Sequence, residues 1–389
     1  MKKRYNVLIL NMNTIETNRI NGIEQFGRKH GWNLSFESIN GFGFNLSQNW
    51  NGDGIVALFE DRNDHRRQLR SFCQRGIPVV DVVDFLDAVP RAKVVADNRA
   101  IGRMGAVHFN ERHHLNALYV CNMRNAVSNA RADGFAEAWK GERFSTLALA
   151  EDLPKSVLHD YSTLLCKIGE VINSQKKPLA VFAFNDFVAV QVLNACNYMG
   201  IAVPQEVSIL GVDDNRLLCE NQSCPLSSVQ HDLFTIGYRA AEMLQRMMNR
   251  SRTSLPPPLT IPPLGIKVRR STDYVAVSDP IVKEACEYIR SHIGSRFGVQ
   301  QIAEALSVPR YLLDERFMKE MGHSVGVELR RLQLLIAKKR LLETDDKIST
   351  IARETGFCHA TYLVKVFKRE FSVSPRQFRM NARREQIEQ

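Results

Sequence analysis

A chain of 389 residues exceeds one ordinary hydrophobic core, so two or three domains are expected. With 44% apolar and 24% charged residues the composition is globular, not disordered or fibrous, and no run of 18 or more apolar residues marks a membrane span. The net charge is +10. Residues 276–389 hold 20 Lys and Arg against 15 Asp and Glu, while residues 1–275 hold 32 against 27. Each part thus carries +5, and the excess is denser in the shorter C-terminal part, which favours a polyanionic partner there.

The N-terminus passes from Met1-Lys2-Lys3-Arg4 into the apolar run 7–10, which reads as a strand and is too short for a secretory signal core. A cytoplasmic protein is expected. Further strands are expected at 33–37, 54–58, 79–82, 117–121, 180–183 and 208–212, and helices at 19–30, 101–110, 131–140, 161–173, 186–199 and 234–248. This alternation predicts parallel sheets with helices on both faces, over a length sufficient for two lobes.

Residues 249–273 break the pattern with Pro256-Pro257-Pro258 and Pro262-Pro263. Proline removes amide donors, so an extended segment is expected, either a linker or an edge strand returning along a lobe. Asp279-Pro280 then supplies an N-cap and a first-turn proline for a helix over 281–292.

The last third repeats itself. Ile302-Ala303 recurs as Ile351-Ala352 and Val308 as Phe357, and beyond the turn Leu313 maps to Leu363, Phe317 to Phe367, Glu320 to Glu370 and Ser324 to Ser374. An Ile-Ala pair, a tight turn and a Leu-x3-Phe helix form an amphipathic helix-turn-helix whose second helix is displayed outward. Two such units suit two successive major grooves of double-stranded DNA. Apolar periodicity alone would equally fit a plain helical bundle; the register-matched repeat and the basic balance favour DNA. A long helix over 325–342 joins the two units and sets their separation.

The eight cysteines are scattered with no C-x-x-C pair, and His113-His114 and Cys358-His359 lack metal-ligand spacing, so reduced thiols, no metal and no cofactor are expected. No G-x-G-x-x-G follows the first strand, and no P-loop or nucleophile elbow occurs. An enzyme is therefore not expected, although an enzyme carrying a DNA-binding tail is the competing class.

The second repeat reads Ile348-x2-Ile351-Ala352-x3-Gly356-Phe357-x4-Tyr362-Leu363-x3-Phe367-Lys368-Arg369, then Ser374-Pro375-x2-Phe378-Arg379. It resembles the AraC family of bacterial transcription activators over the whole length of that signature. Ser372 and Ser307 stand where the family usually has glycine, and Pro309 where the first reading helix usually has a Ser cap. The N-terminal two-thirds resembles the sugar-binding core shared by LacI-type repressors and periplasmic binding proteins. The residues that carry this likeness are Asn185-Asp186-x2-Ala189, Gly200-Ile201-x-Val203-Pro204-x2-Val207-Ser208-Ile209-x-Gly211-Val212-Asp213-Asp214, and Pro225-Leu226-Ser227-Ser228-Val229. Together the resemblances imply a multidomain chain: a two-lobed α/β, periplasmic-binding-protein-like sensor over 1–270, a linker over 271–278, and an all-α double helix-turn-helix domain over 279–389. They imply an activator governed by a small sugar, xylose or a related pentose, acting as a homodimer with RNA polymerase as a partner. A non-sugar effector, or a vestigial sensor used only for dimerisation, remains the alternative.

Sugar recognition needs carboxylates and amides beside an apolar or aromatic wall, and α/β sheets present such groups where strands empty into a cleft. By resemblance the ligand contacts are Asp97, Arg131, Asn185 or Asp186, and Asp213, with Arg131 and Asp213 foremost. A surface ion pair and a helix cap are the competing readings of those two. Asn13, Arg19, Phe59 and Phe184 are further candidates. In the reading heads the expected helices span 309–320 and 359–370. The family aligns Tyr311, Asp314 and Glu315 with base-contacting positions, and Ala360, Thr361, Val364 and Lys365 hold the matching places in the second head. Acidic groups accept from cytosine, and small apolar groups pack on thymine methyls. Arg310, Lys319, Lys368, Arg369 and Arg379 are expected on phosphates.

Overall fold

The computed structural model describes residues 4–10, 17–37, 49–60, 63–86, 91–249, 255–277 and 279–380. Asn13 lies outside them. The chain divides into two compact units, Met1–Tyr274 and Val275–Gln389.

The first unit holds two sheets. One runs β11-β5-β4-β3-β1-β2, from β1 (Tyr5–Leu10), β2 (Trp32–Glu37), β3 (Gly54–Ala57), β4 (Val79–Asp81), β5 (Ala92–Ala96) and β11 (Leu259–Ile261). All its pairings are parallel. The other runs β12-β10-β9-β8-β6-β7, from β6 (Asn116–Cys121), β7 (Arg143–Ala148), β8 (Leu179–Ala183), β9 (Val207–Val212), β10 (Ser227–His231) and β12 (Pro263–Lys267). Only the β10–β12 pair is antiparallel. Strands β6, β8 and β9 are buried along their whole length, as continuous apolar runs covered on both faces must be.

Helices α1 (Thr17–His30), α2 (Asn63–Gln74) and α9 (Leu233–Asn249) cover the first sheet, and α3 (Asn98–Asn110), α4 (Ala126–Ala138), α5 (Leu149–Asp152), α6 (Tyr161–Ser174), α7 (Asp186–Met199) and α8 (Arg216–Glu220) belong with the second. In each lobe one helix pair meets backbone to backbone. A Cβ at Gly102 of α3 would lie 2.0 Å from the Arg131 carbonyl oxygen of α4, and one at Gly237 of α9 would lie 2.0 Å from that of Arg19 in α1. The chain crosses between lobes three times, from β5 into α3, from β10 into α9, and from β11 into β12. Two crossings are tied together, since the Asp97 amide donates to the Ile261 carbonyl at 2.8 Å. Of the extended segment expected at 249–273, residues 250–254 lie outside the described ones. Asn249 ends α9, and the rest supplies β11 and β12 and then a 3-10 turn, Arg270–Thr272, in which Ser271 and Thr272 are buried.

The second unit is helical: α10 (Pro280–His292), α11 (Val299–Ala305), α12 (Arg310–Met321), α13 (Val325–Glu343), α14 (Ile348–Glu354) and α15 (Ala360–Phe371). Asp279 caps α10 through the amides of Ile281 and Val282. The repeat residues form matching cores. Ile302, Ala303, Leu313 and Phe317 pack with Val325 and Leu329 of α13, while Ile351, Ala352, Leu363 and Phe367 pack with its Leu334, Ala337 and Leu341. One 19-residue helix, about 28 Å long, is therefore the shared wall of both heads.

Candidate ligand cleft and nucleic-acid interface

Parallel strands deliver their C-terminal ends to one edge of each sheet, and in the second lobe that edge gathers a polar cluster. Arg131 on α4 is only 4% exposed. Its Nε donates to Asn98 Oδ1 at 2.9 Å, and a terminal nitrogen donates to the Phe184 carbonyl. Its guanidinium lies 4.8 Å from the centroid of the Phe184 ring. Burial pulls the Arg131 pKa down, and the charges of Asp213, Tyr119 and Asp186 pull it back up; an arginine stays charged in such a setting. This excludes the surface ion pair. Phe184 also meets Phe85 of the first lobe, with ring centroids 6.5 Å apart, so an aromatic pair bridges the lobes beside the cation.

Asp213 follows β9 with a left-handed backbone, φ 113°, which a non-glycine residue holds only when its surroundings dictate it. Its carboxylate is hydrogen-bonded to His231 Nε2 at 2.7 Å. His231 terminates β10 at an irregularity in its pairing with β12, at the crossing into the first lobe. Sequence reasoning passed over His231, because it sits in the polar strand Ser227–His231, which no apolar periodicity reveals.

Asp186 is fully buried. Its oxygens accept from Ser228 Oγ and the Asn215 amide, both at 2.7 Å. Burial, then the charge of Asp213, pushes its pKa up to about 7, against those hydrogen bonds. Asp97 and Asn185 each cap a helix, accepting from the amides of Ala100 and Val188, and both remain half-buried at strand ends. Phe59 belongs to the first-lobe core, and Arg19 is buried on α1.

In the second unit, Tyr311 is 73% exposed. Glu315 is also exposed on α12, as are Thr361, Val364, Lys365, Lys368 and Arg369 on α15, whereas Asp314 and Ala360 are half-buried. Ala360 packs on the second head's core. Arg310 and Asp314 face each other at 3.7 Å. Pro309 and His359 stand at the N-caps of α12 and α15. The half-buried Arg379 donates to the Leu341 carbonyl at 3.2 Å, tying the chain end to α13. The basic groups of α13 are largely engaged within the unit: Arg331 on buried Glu328, Arg340 on Asp346 and Glu354, Arg330 over the Tyr362 ring and Lys338 over Phe371. Among the described residues no cluster of three metal-ligating side chains occurs, and no helix is long and apolar enough to cross a membrane.

Comparison with known proteins bears on both units. Residues 106–272 match a periplasmic binding protein-like domain, and residues 302–381 match a helix-turn-helix domain. The chain is 29% identical over 341 residues to a xylose operon regulatory protein of Haemophilus influenzae, covering 85% of each chain. It is 24% identical over 347 residues to the Escherichia coli K12 protein of the same name, again covering 85% of each. Among solved structures it is similar to that of a xylose-binding transcription activator, with TM-score 0.61 and 22% identity over 97% of this chain and 99% of the other. It is also similar to a transcriptional regulator in complex with cellobiose, with TM-score 0.54 and 20% identity over 70% and 86%. The relatives are transcription regulators and not enzymes.

Proposed function

We propose that this chain, a DNA-binding transcription regulator with a periplasmic-binding-protein-like sensor and an AraC-type double helix-turn-helix unit, is an activator whose DNA binding is set by a pentose, D-xylose foremost, held between the sensor lobes. The observation that carries the reading is the buried Arg131, fixed by Asn98 and the Phe184 face, with Asp213 as its electrostatic partner. Such a cluster offers donors, an acceptor and an aromatic face, the set a polyol needs. The similarity to xylose operon regulators supports the choice of sugar.

In this reading Arg131 donates to ring or hydroxyl oxygens and Asp213 accepts from hydroxyls, oriented by His231. Asp97 and Asn185 contribute their free oxygen or amide valences from the helix starts, and Asp186 braces the loop beneath. Tyr311, Asp314, Glu315, Ala360, Thr361, Val364 and Lys365 meet base edges, and Arg310, Lys368 and Arg369 meet phosphates. The protein acts in the cytoplasm as a homodimer, and RNA polymerase is its partner at the promoter.

A thermal-shift screen of the purified chain against pentoses, hexoses and their phosphates tests the sensor. A sugar at 100 times its dissociation constant adds about 2.7 kcal/mol if it binds only the folded state. A shift with D-xylose or another pentose supports the reading; a panel without any shift overturns it and leaves the DNA-binding unit untouched.

A further inference from the structure

We propose that Arg269 and the turn Arg270–Thr272, with its buried Ser271 and Thr272, form the output latch of the sensor, with the Asp214–Arg269 ion pair linking the state of Asp213 to the chain entering the DNA-binding unit. This inference rests on the effector reading above and adds the route by which the site regulates.

Asp213 and Asp214 are consecutive, and both have left-handed φ, 113° and 52°. Their side chains serve opposite ends of the molecule's business. Asp213 bonds His231 in the cleft, while Asp214 lies 2.7 Å from the Arg269 guanidinium and accepts from Gln230 Nε2 at 2.8 Å. They share one peptide plane, so a turn of that plane to suit a ligand at Asp213 also moves Asp214. The Asp214 amide donates to Ser228 Oγ at 2.9 Å, and that hydroxyl donates to Asp186, which brings the buried carboxyl into the same circuit.

Beyond Asp214 the grip tightens. Arg269 also donates to the Leu226 carbonyl at 2.9 Å. Ser271 and Thr272 are wholly buried. Ser271 Oγ donates to the Ile209 carbonyl of β9 at 2.6 Å, and Thr272 Oγ1 donates to Ser227 Oγ at 2.7 Å. A second element arrives from the cleft. Helix α3 begins at Asn98, which holds Arg131, and near its far end His108 Nε2 bonds Thr272 Oγ1 at 2.9 Å. Just past that end, Arg112 Nε donates to the Thr272 carbonyl at 2.8 Å. Thus β9 and α3, which both carry cleft residues at one end, converge on residues 269–272. Two residues later Tyr274 closes the first unit and Val275 opens the second. A plain tether between domains is exposed and makes few contacts. A turn whose Ser271 and Thr272 are buried and hydrogen-bonded instead has discrete arrangements that two sites can bias together.

The test uses the full chain, three pentoses (D-xylose, D-ribose and L-arabinose), and a duplex that the parent selects from random DNA, read by fluorescence anisotropy with and without sugar. In Arg269→Met and the milder Thr272→Val, the pentose thermal shift and the sugar-free DNA affinity stay within about threefold of the parent, while the sugar-induced change in DNA affinity falls at least about fivefold, the lower end of ordinary coupling. Arg269→Lys, which keeps the charge, restores part of the coupling. Variants whose sugar-induced change equals the parent's overturn the latch alone, and so does a parallel loss of sugar binding and coupling. A parent that binds the duplex with no response to any pentose overturns the effector reading, and the latch falls with it.

Discussion

Ser307 and Gly356 hold the same place in the turns of the two helix-turn-helix heads, and both are left-handed, with φ of 55° and 78°. At the other end of the reading helices the residue types exchange: Gly322 closes α12 at φ 72° and Ser372 closes α15 at φ 60°. Each head therefore places one serine where the backbone favours glycine, at a cost of about 1–2 kcal/mol. Both serines are exposed, so nothing opposes relief of that strain. Ser307→Gly and Ser372→Gly should each stabilise the second unit by about 1 kcal/mol and so raise its denaturation midpoint. The reverse change fails at Gly356, where a Cβ would sit 2.7 Å from the Ser295 carbonyl oxygen; Gly356→Ala should lose about 2 kcal/mol or more. Chemical denaturation of the full chain, followed in its second transition, measures all three. Unchanged midpoints would count against the left-handed geometry.

Asp213→Ala removes the acceptor assigned to sugar hydroxyls. Hydrogen bonds to a charged group contribute about 1.5–3 kcal/mol, so pentose affinity should fall by about 10–100-fold, with sugar-free DNA affinity unchanged. Calorimetry and anisotropy separate the two. Equal loss of both would mean that Asp213 supports the fold and not the ligand.

The pH dependence of stability carries a signature of Asp186. Its folded pKa of about 7 lies above the ordinary aspartate value of 3.8, so between these values the folded state binds more protons than the unfolded state. Its contribution is complete below the lower value and is lost as pH rises towards neutrality. Asp186→Asn, which cannot titrate, should flatten the stability curve of the first unit between pH 4 and 7. An unchanged slope in the variant would assign that slope to other groups.

The reading helices separate by salt dependence. Lys368→Ala and Arg369→Ala should weaken binding to every duplex and reduce the slope of log affinity against log salt by about 1 each. Thr361→Ala, Val364→Ala and Tyr311→Ala should leave the slope alone and change base preference by about 1–3 kcal/mol at single positions. A slope change in the second group would move those residues to the backbone.

Sequence patterning reached most of the elements that bury carbon, though not the short strands β5 and β7, and missed β10, which buries oxygen. The apolar runs of β1, β8 and β9 were visible to within a residue or two, because strands covered on both faces read as unbroken hydrophobic stretches. Strand β10 was not visible, since Ser227 and Ser228 are fully buried through hydroxyl bonds. Helix α2 escaped because only His65, Leu69 and Phe72 of its length are buried. Arg131 and Asp213 stand out in the sequence by resemblance and strand-end position, and the structure brings them within electrostatic reach of each other. His231 and the Arg269–Thr272 turn do not stand out, because their bonding partners lie elsewhere in the sequence. Arg379 reads as a phosphate contact in the sequence; in the structure it is half-buried and its Nε donates to the Leu341 carbonyl.

The three crossings of the first unit also order its manufacture. Its first lobe takes β1 to β5 from the start of the chain, but its sheet is completed by β11, and α1 waits for α9 to cover its glycine-lined face. Contacts so distant in sequence form late. The helix-turn-helix heads need only near neighbours and emerge after the sensor. Every nascent chain long enough to grip DNA has therefore already had a whole sensor synthesised ahead of it, and premature termination cannot release a reading head without its control.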